Sequence, residues 1–185
     1  MAETDSHRIA RNLHMLSTLT HRVLEQDVPG NDGSGATFLQ VVILKWLGSA
    51  GPRRAQDVAK YLTCSAPAVS QHLARLKKKG LIRVKPNALD RRADDLHVTE
   101  KGHAVIRRYE TLRSRRLDRL VSRLPDARRR VIVQGLEAAL EMLLVEKPWV
   151  DDICLHCGAY DSPQCKMREH GMRCPTEGTA AKIES

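Results

Sequence analysis

The chain has 185 residues, 42% of them hydrophobic and only 3% aromatic, with a formal net charge of +9 and a pI near 9.6. That length fits one domain, or one domain with a small appendage, built on an aliphatic core that suits helix packing. No run of 18 apolar residues and no N-terminal apolar segment is present, so neither a membrane span nor a signal peptide is expected and the predicted location is the cytoplasm. The charge is unevenly spread. Between Leu73 and Arg130 there are 19 Lys and Arg against 7 Asp and Glu, a net of +12 that leaves the rest of the chain near −3. A basic block of this kind is the electrostatic footprint of polyanion binding, although a solvated charged face has the same composition.

Ser6 to Gln26 reads as a helix with Ile9, Leu13, Leu16, Leu19 or Thr20, and Val23 on one face. His7, His14 and His21 recur every seven residues on about one stripe. Helical metal pairs prefer a spacing of four, so an ordinary polar face is the expectation. Residues 27–36 carry every loop signal. Thr37 is expected to cap a helix over Phe38–Ser49, with Leu39, Val42, Ile43, Trp46 and Leu47 buried. Ala55–Leu62 reads as a short helix with Val58, Ala59 and Leu62 on one side. Cys64 then stands five residues before Val69, the spacing of a hydrophobic staple. A small buried hydrophobe is the expected role of Cys64, and an oxidation switch is the alternative.

Ser65 to Gly80 reads as the helix around which the chain is organised. Ser65 can cap it with its hydroxyl, Pro67 sits in the first turn where a missing N–H costs nothing, and Gly80 can take the left-handed conformation that ends a helix. Val69, Leu73 and Leu76 form an apolar stripe. The other face carries Ala66, Ala68, Ser70, Gln71, His72, Arg75 and Lys78. Small residues at its start allow close approach, and Ser, Gln and Arg can hydrogen-bond base edges in a major groove. Leu81–Lys85 and Asp95–Val98 read as two strands around a turn containing Asp90-Arg91-Arg92. Thr99 then caps a long helix to about Arg123, with Val105, Tyr109, Leu112, Leu117, Leu120 and Leu124 as its stripe and seven arginines over much of the rest. Pro125 opens a last helix, Asp126–Glu146, striped by Ile132, Leu136, Leu140 and Leu143. A short helix, a turn, a second helix and a two-stranded wing make a winged helix-turn-helix. Two long amphipathic helices beside so small a head favour a dimer.

Gln56-Asp57-Val58-Ala59, Ser65 to Leu76, Lys79-Gly80-Leu81-Ile82, Asp90-Arg91-Arg92 and Leu96 to Gly102, taken as an ordered set, resemble the MarR family of bacterial transcription regulators. The likeness is strongest over residues 39–119. It implies a homodimer on a pseudo-palindromic operator in double-stranded DNA, with residues 65–79 in the major groove. Arg91 and Arg92 would reach the minor groove or its phosphates, and Asp90 would orient an arginine. Ser70, Gln71 and Arg75 are the expected base contacts. Lys77 and Lys78 are the expected phosphate contacts, and Ser65 and Ala68 complete the DNA-facing set. A small effector often binds between the dimerisation helices and the reading head in this family. Leu16, Trp46, Tyr61 and Tyr109 are the candidate lining here, and each is expected to serve as core instead. One departure is Arg53-Arg54, where the family more often has a hydroxyl cap; the pair adds a candidate phosphate contact.

A second departure is C-terminal. Cys154, Cys157, Cys165 and Cys174 follow the spacing C-x2-C-x7-C-x8-C within 21 residues. In a reducing compartment clustered thiols point to metal rather than disulfides. Cys-x2-Cys-Gly suits tetrahedral zinc and also iron held by thiolates. The missing second Cys-x2-Cys leans toward an iron–sulfur cluster, with zinc next and free thiols third. His156 or His170 could replace one cysteine.

The chain is therefore expected to be mainly α with a small β-wing, a winged helix-turn-helix flanked by N- and C-terminal dimerisation helices. Residues 1–36 hold the N-terminal dimerisation helix and loop. Residues 37–102 hold the DNA-binding domain and 103–147 the C-terminal dimerisation helices. Residues 148–175 hold the four-cysteine lobe and 176–185 a disordered tail. The expected function is a transcription regulator, mostly a repressor, whose DNA affinity responds to a ligand or to the metal or redox state of the cysteines. A winged-helix protein-interaction module with a structural zinc lobe is the alternative. An enzyme is not expected, because four thiolates close a zinc site and no nucleophile–base set accompanies them.

Overall fold

The computed structural model describes residues 4–26, 34–49, 53–62, 64–87, 94–146 and 165–171. Helix α1 (Asp5–Thr20) continues as a π-helical turn, His21–Gln26. Then come α2 (Phe38–Ser49), α3 (Ala55–Leu62) and α4 (Ala66–Lys78), strands β1 (Ile82–Pro86) and β2 (Asp94–Val98), α5 (Glu100–Val121), α6 (Asp126–Leu144) and a single turn, α7 (Lys166–Glu169). The strands pair antiparallel in a register from Ile82 opposite Val98 to Pro86 opposite Asp94. Pro86 ends its strand, where the missing N–H is harmless. The predicted class, mainly α with a two-stranded wing, is the observed one. Arg53 adds a feature not expected: it bridges to Leu96, whose N–H donates to the Arg53 carbonyl at 2.8 Å. The segment before α3 thus acts as a minimal third strand.

The core lies between α2, α3, α4, the wing and the first half of α5. Val58, Val69, Leu73, Leu76, Leu81, Ile82, Leu96, Val105 and Tyr109 close around α2. α2 is buried more widely than its predicted face. Ile43, Trp46 and Leu47 are buried as expected, but so are Val41, Leu44 and Gln40, whereas Leu39 and Val42 are only half-buried. The reason is its place: α2 packs on both α5 and β2, so more than one side is covered. A complete capping box starts it. The Gln40 N–H donates to Thr37 Oγ1 at 3.3 Å and the Thr37 N–H to Gln40 Oε1 at 3.2 Å.

Two helices and the end of a third keep apolar stripes in the open. No residue of α1 is buried, and Ile9, Leu16 and Leu19 are 45%, 48% and 51% exposed. Ile132, Leu136, Leu140 and Leu143 of α6 are 45–48% exposed, and Leu117 and Leu120 of α5 are similar. Leu16 is therefore not a core residue, contrary to expectation, because nothing among the described residues buries α1. Trp46 and Tyr109 are core and Tyr61 packs against it, as expected. Of the three spaced histidines, His7 and His14 are exposed, whereas the His21 ring meets Phe38 edge-on at 5.0 Å.

Candidate nucleic-acid interface

The helix-turn-helix is held by local hydrogen bonds that compensate for unusual residues. No hydroxyl caps α3. Instead the Asp57 carboxylate, three residues in, reaches back to the Arg54 N–H at 2.8 Å. The Arg53 guanidinium lies 4.2 Å from the centre of the Trp46 ring, and Trp46 stacks on Tyr61 at 4.9 Å with planes 5° apart. Burial lowers the Arg53 pKa, and the nearby Asp57 charge opposes that shift. The predicted phosphate contact is thus corrected for Arg53, whose side chain is turned onto an aromatic stack inside the head.

Ser65 occupies the N-cap of α4 with extended backbone, but its hydroxyl makes no capping bond. Its carbonyl instead accepts the Val69 N–H at 3.1 Å. Pro67, within the first two residues of the helix, removes one of the donors such a cap would serve. Cys64 is exposed and its thiol donates to the Leu62 carbonyl at 3.3 Å, so the buried-hydrophobe and staple reading of Cys64 is also corrected. That hydrogen bond turns the sulfur back along the chain rather than inward over Val69.

The far end of α4 is tightly defined. Gly80 has φ +69. Its N–H donates to the Lys77 carbonyl at 2.9 Å, and the Leu81 N–H to the Leu76 carbonyl at 3.0 Å. This is a Schellman motif, with Leu76 and Leu81 buried as its apolar contact. Val69, Leu73 and Leu76 all face the core. Away from them Ser70, Gln71, Arg75 and Lys78 are exposed, Ser65 and Lys77 are exposed at the flanks, and Ala68 is half-buried. Of the seven predicted contacts on α4 and its N-cap, six are therefore exposed.

The wing carries further cations that the sequence reading did not single out. Arg83 and Lys85 are exposed on β1, opposite His97 and Asp95. The Asn87 amide donates to both Asp95 carboxylate oxygens at 3.0 Å and ties the strands together where the turn begins. Asp90, Arg91 and Arg92 lie outside the described residues. So do Cys154, Cys157, Cys174 and His156 of the cysteine segment. Cys165 is half-buried at the start of α7, with His170 exposed beyond it. Lys166 joins that turn to α6 through Glu141 at 3.0 Å and also meets Glu169 at 3.1 Å. Its hydrogen bonds to Glu141 and then Glu169 raise its pKa. Among the described residues, no group of three or more His, Cys, Asp or Glu is placed to hold a metal, and no helix is long and apolar enough to cross a membrane. A cleft of about 410 Å³ is lined by Leu112, Arg115, Asp118 and Arg119 of α5, not by the predicted effector-site residues.

This architecture is a winged helix, with α4 set between a helical core and a two-stranded wing. A family model described as MarR family matches residues 34–93, from just before α2 to the residue before β2. Solved structures agree over most of the chain. RV1404 from Mycobacterium tuberculosis is 25% identical with a TM-score of 0.66, over 76% of this chain and 95% of that one. FabT of Streptococcus pneumoniae, in complex with DNA, is 22% identical with a TM-score of 0.60, over 75% and 97%. MepR, a transcription regulator of the Staphylococcus aureus multidrug efflux pump MepA, is 23% identical with a TM-score of 0.60, over 76% and 99%. No curated protein matches the chain significantly.

Proposed function

We propose that this chain is a DNA-binding transcription regulator, most simply a repressor, that occupies a pseudo-palindromic operator as a homodimer. The observation that carries this reading is the division of α4: Val69, Leu73 and Leu76 are buried, Ser70, Gln71, Arg75 and Lys78 stand exposed away from them, and Lys77 is exposed at the flank. A core-anchored helix with an open polar and cationic face has the shape and chemistry of a major-groove reader. FabT was crystallised with DNA and MepR is a transcription regulator, which favours the same role for the shared fold. Gln71, Ser70 and Arg75 would contact base edges. Lys77, Lys78, Arg91 and Arg92 would contact phosphates or the minor groove, with Asp90 supporting the wing tip. Operator release would follow when an effector or the cysteine segment changes the separation of the two heads.

Cys154, Cys157, Cys165 and Cys174 would hold either an iron–sulfur cluster or zinc. A cluster would make the protein a redox, iron or gas sensor. Zinc would make the segment a clamp beside α6, since metal binding supplies folding free energy to a small lobe. The ion pair from Lys166 to Glu141 on α6 fits a lobe seated there.

One preparation tests both parts. Protein purified without air is assayed for iron, zinc and sulfide, then for binding to random and operator duplex across salt. Iron with sulfide identifies the cluster, zinc alone the clamp, and neither rejects a metal. A reader of this charge binds random duplex with an affinity that falls as salt rises; absence of that affinity would favour the protein-interaction alternative. Gln71→Ala should flatten base preference at its position, whereas Lys78→Ala should weaken all duplexes alike and lower the salt slope by about 1.

A further inference from the structure

Lys77, Lys78 and Lys79 are consecutive, but the fold separates their roles. Lys77 and Lys78 are exposed, and Lys79 is half-buried. Its ammonium turns back across the head and donates to the Gln40 side-chain oxygen at 3.0 Å and to the Gly35 carbonyl. Gln40 is 1% exposed, and the same oxygen accepts the Thr37 N–H in the capping box of α2. Gly35 has φ +61 and stands just before that box, in the connection that leads from α1. The backbone of the same corner is held from the other side. The Lys79 carbonyl accepts the Lys101 ammonium at 3.0 Å, and the Gly80 carbonyl accepts the Thr99 hydroxyl at 2.7 Å. One side chain therefore pins the end of α4 to the start of α2, while the start of α5 pins its last carbonyls.

We infer that Lys79 is a positioning residue for DNA recognition: its ammonium locks the end of α4 to the Gly35–Gln40 corner and so sets the angle at which Ser70, Gln71 and Arg75 are presented. This rests on the proposed role of α4. A charge-assisted bond to a buried amide oxygen is strong and directional. An ammonium with two of its three donors engaged by oxygens on the protein is a poorer phosphate contact than an open lysine. Base recognition depends on the angle of the helix, whereas non-specific affinity depends on the count of free cations. Lys79 should therefore matter to the first and not to the second.

The test separates angle from charge. An operator is selected from a random duplex library with the wild-type protein. Affinities for it and for random duplex are then measured across salt for K79M, K79R, K78M, Q40M and the double variant K79M/Q40M, with circular dichroism as the check on folding. K79M and Q40M should each weaken operator binding by about tenfold. Both should leave random-duplex affinity and its salt slope at the wild-type value, and K79R should restore most of the operator loss. K78M should lower the slope on both duplexes. The double variant should lose less than the sum of the two single losses, because both singles remove the Lys79–Gln40 contact. A reduced slope for K79M, matching K78M, would overturn the inference by making Lys79 a phosphate contact. So would additive losses, or a Q40M that binds the operator like wild type; Q40M alters no charge and decides the matter even if K79M fails to fold. Wild-type protein that binds no random duplex at low salt would instead remove the DNA reading itself.

Discussion

Gly102 shows how closely the wing and the long helix are fitted. A methyl group there would lie 2.3 Å from the Leu81 carbonyl oxygen and 2.6 Å from Val98 Cγ1. Both are closer than real contacts allow, and one is backbone that cannot swing aside. The same corner holds the Thr99 cap, whose hydroxyl oxygen accepts the Gly102 N–H at 3.1 Å. Gly102→Ala should therefore destabilise the head by about 1–3 kcal/mol, the usual cost of overpacking. In urea, the midpoint should fall with an unchanged slope at fixed protein concentration. A midpoint within error of wild type would mean that the wing is free to move away from α5. The sequence offered Thr99-Glu-Lys-Gly as a helix start, which the structure bears out. Nothing local in it distinguished Gly102 as a contact point, because the atoms that exclude a side chain come from Leu81 and Val98.

At the scale of elements, the start of α5 combines a cap with a charge pair. Glu100 sits in the first turn, where a carboxylate faces the positive end of the helix. Arg107 donates to it at 2.6 Å, and that hydrogen bond, then the arginine charge, lowers the Glu100 pKa. A carboxyl group whose pKa is lowered by folding stabilises the folded state above the ordinary carboxylate range. That contribution is lost as pH falls through the lowered value. Wild type should therefore exceed Glu100→Gln in urea midpoint at neutral pH, and the gap should close on acidification and shrink in high salt. Both groups are exposed, so the gap should be small. A gap that does not vary with pH would show that the carboxylate charge is not its source. Elements with strong local signals were legible from the sequence: the stripe and ends of α4, the strand pair and the Thr99 cap. Other features depend on residues brought together from far apart. Lys79 meets Gln40 39 residues upstream, and Arg53 pairs with Leu96 across the head. Periodicity and capping rules read neighbours, so they gave Arg53 no partner in the head, assigned Lys79 no contact and gave α2 too narrow a buried face.

For the whole molecule, the exposed stripes of α1, the end of α5 and α6 are the surface on which the proposed dimer can be tested. Ile132, Leu136, Leu140 and Leu143 repeat at helical spacing and remain about half exposed, although the same residue types are buried throughout the reading head. Covering the exposed half of each would recover roughly 1 kcal/mol per side chain, and a twofold axis would double the gain by using the same patch on both protomers. Wild-type protein should therefore sediment at about twice the 20.8 kDa of one chain. Leu136→Glu combined with Leu140→Glu should sediment as a monomer at the same concentration, because two charges per protomer would have to lose water in the interface. The variant leaves α4 untouched, and this gives the DNA consequence its direction. Random-duplex binding per head should persist with its salt dependence, while operator affinity should fall by far more, since two half-sites are no longer bound together. If the variant remained dimeric, α6 would not be the interface. If it became monomeric yet kept full operator affinity, one head alone would suffice for recognition, and the exposed stripes would need a role other than pairing two readers on one operator.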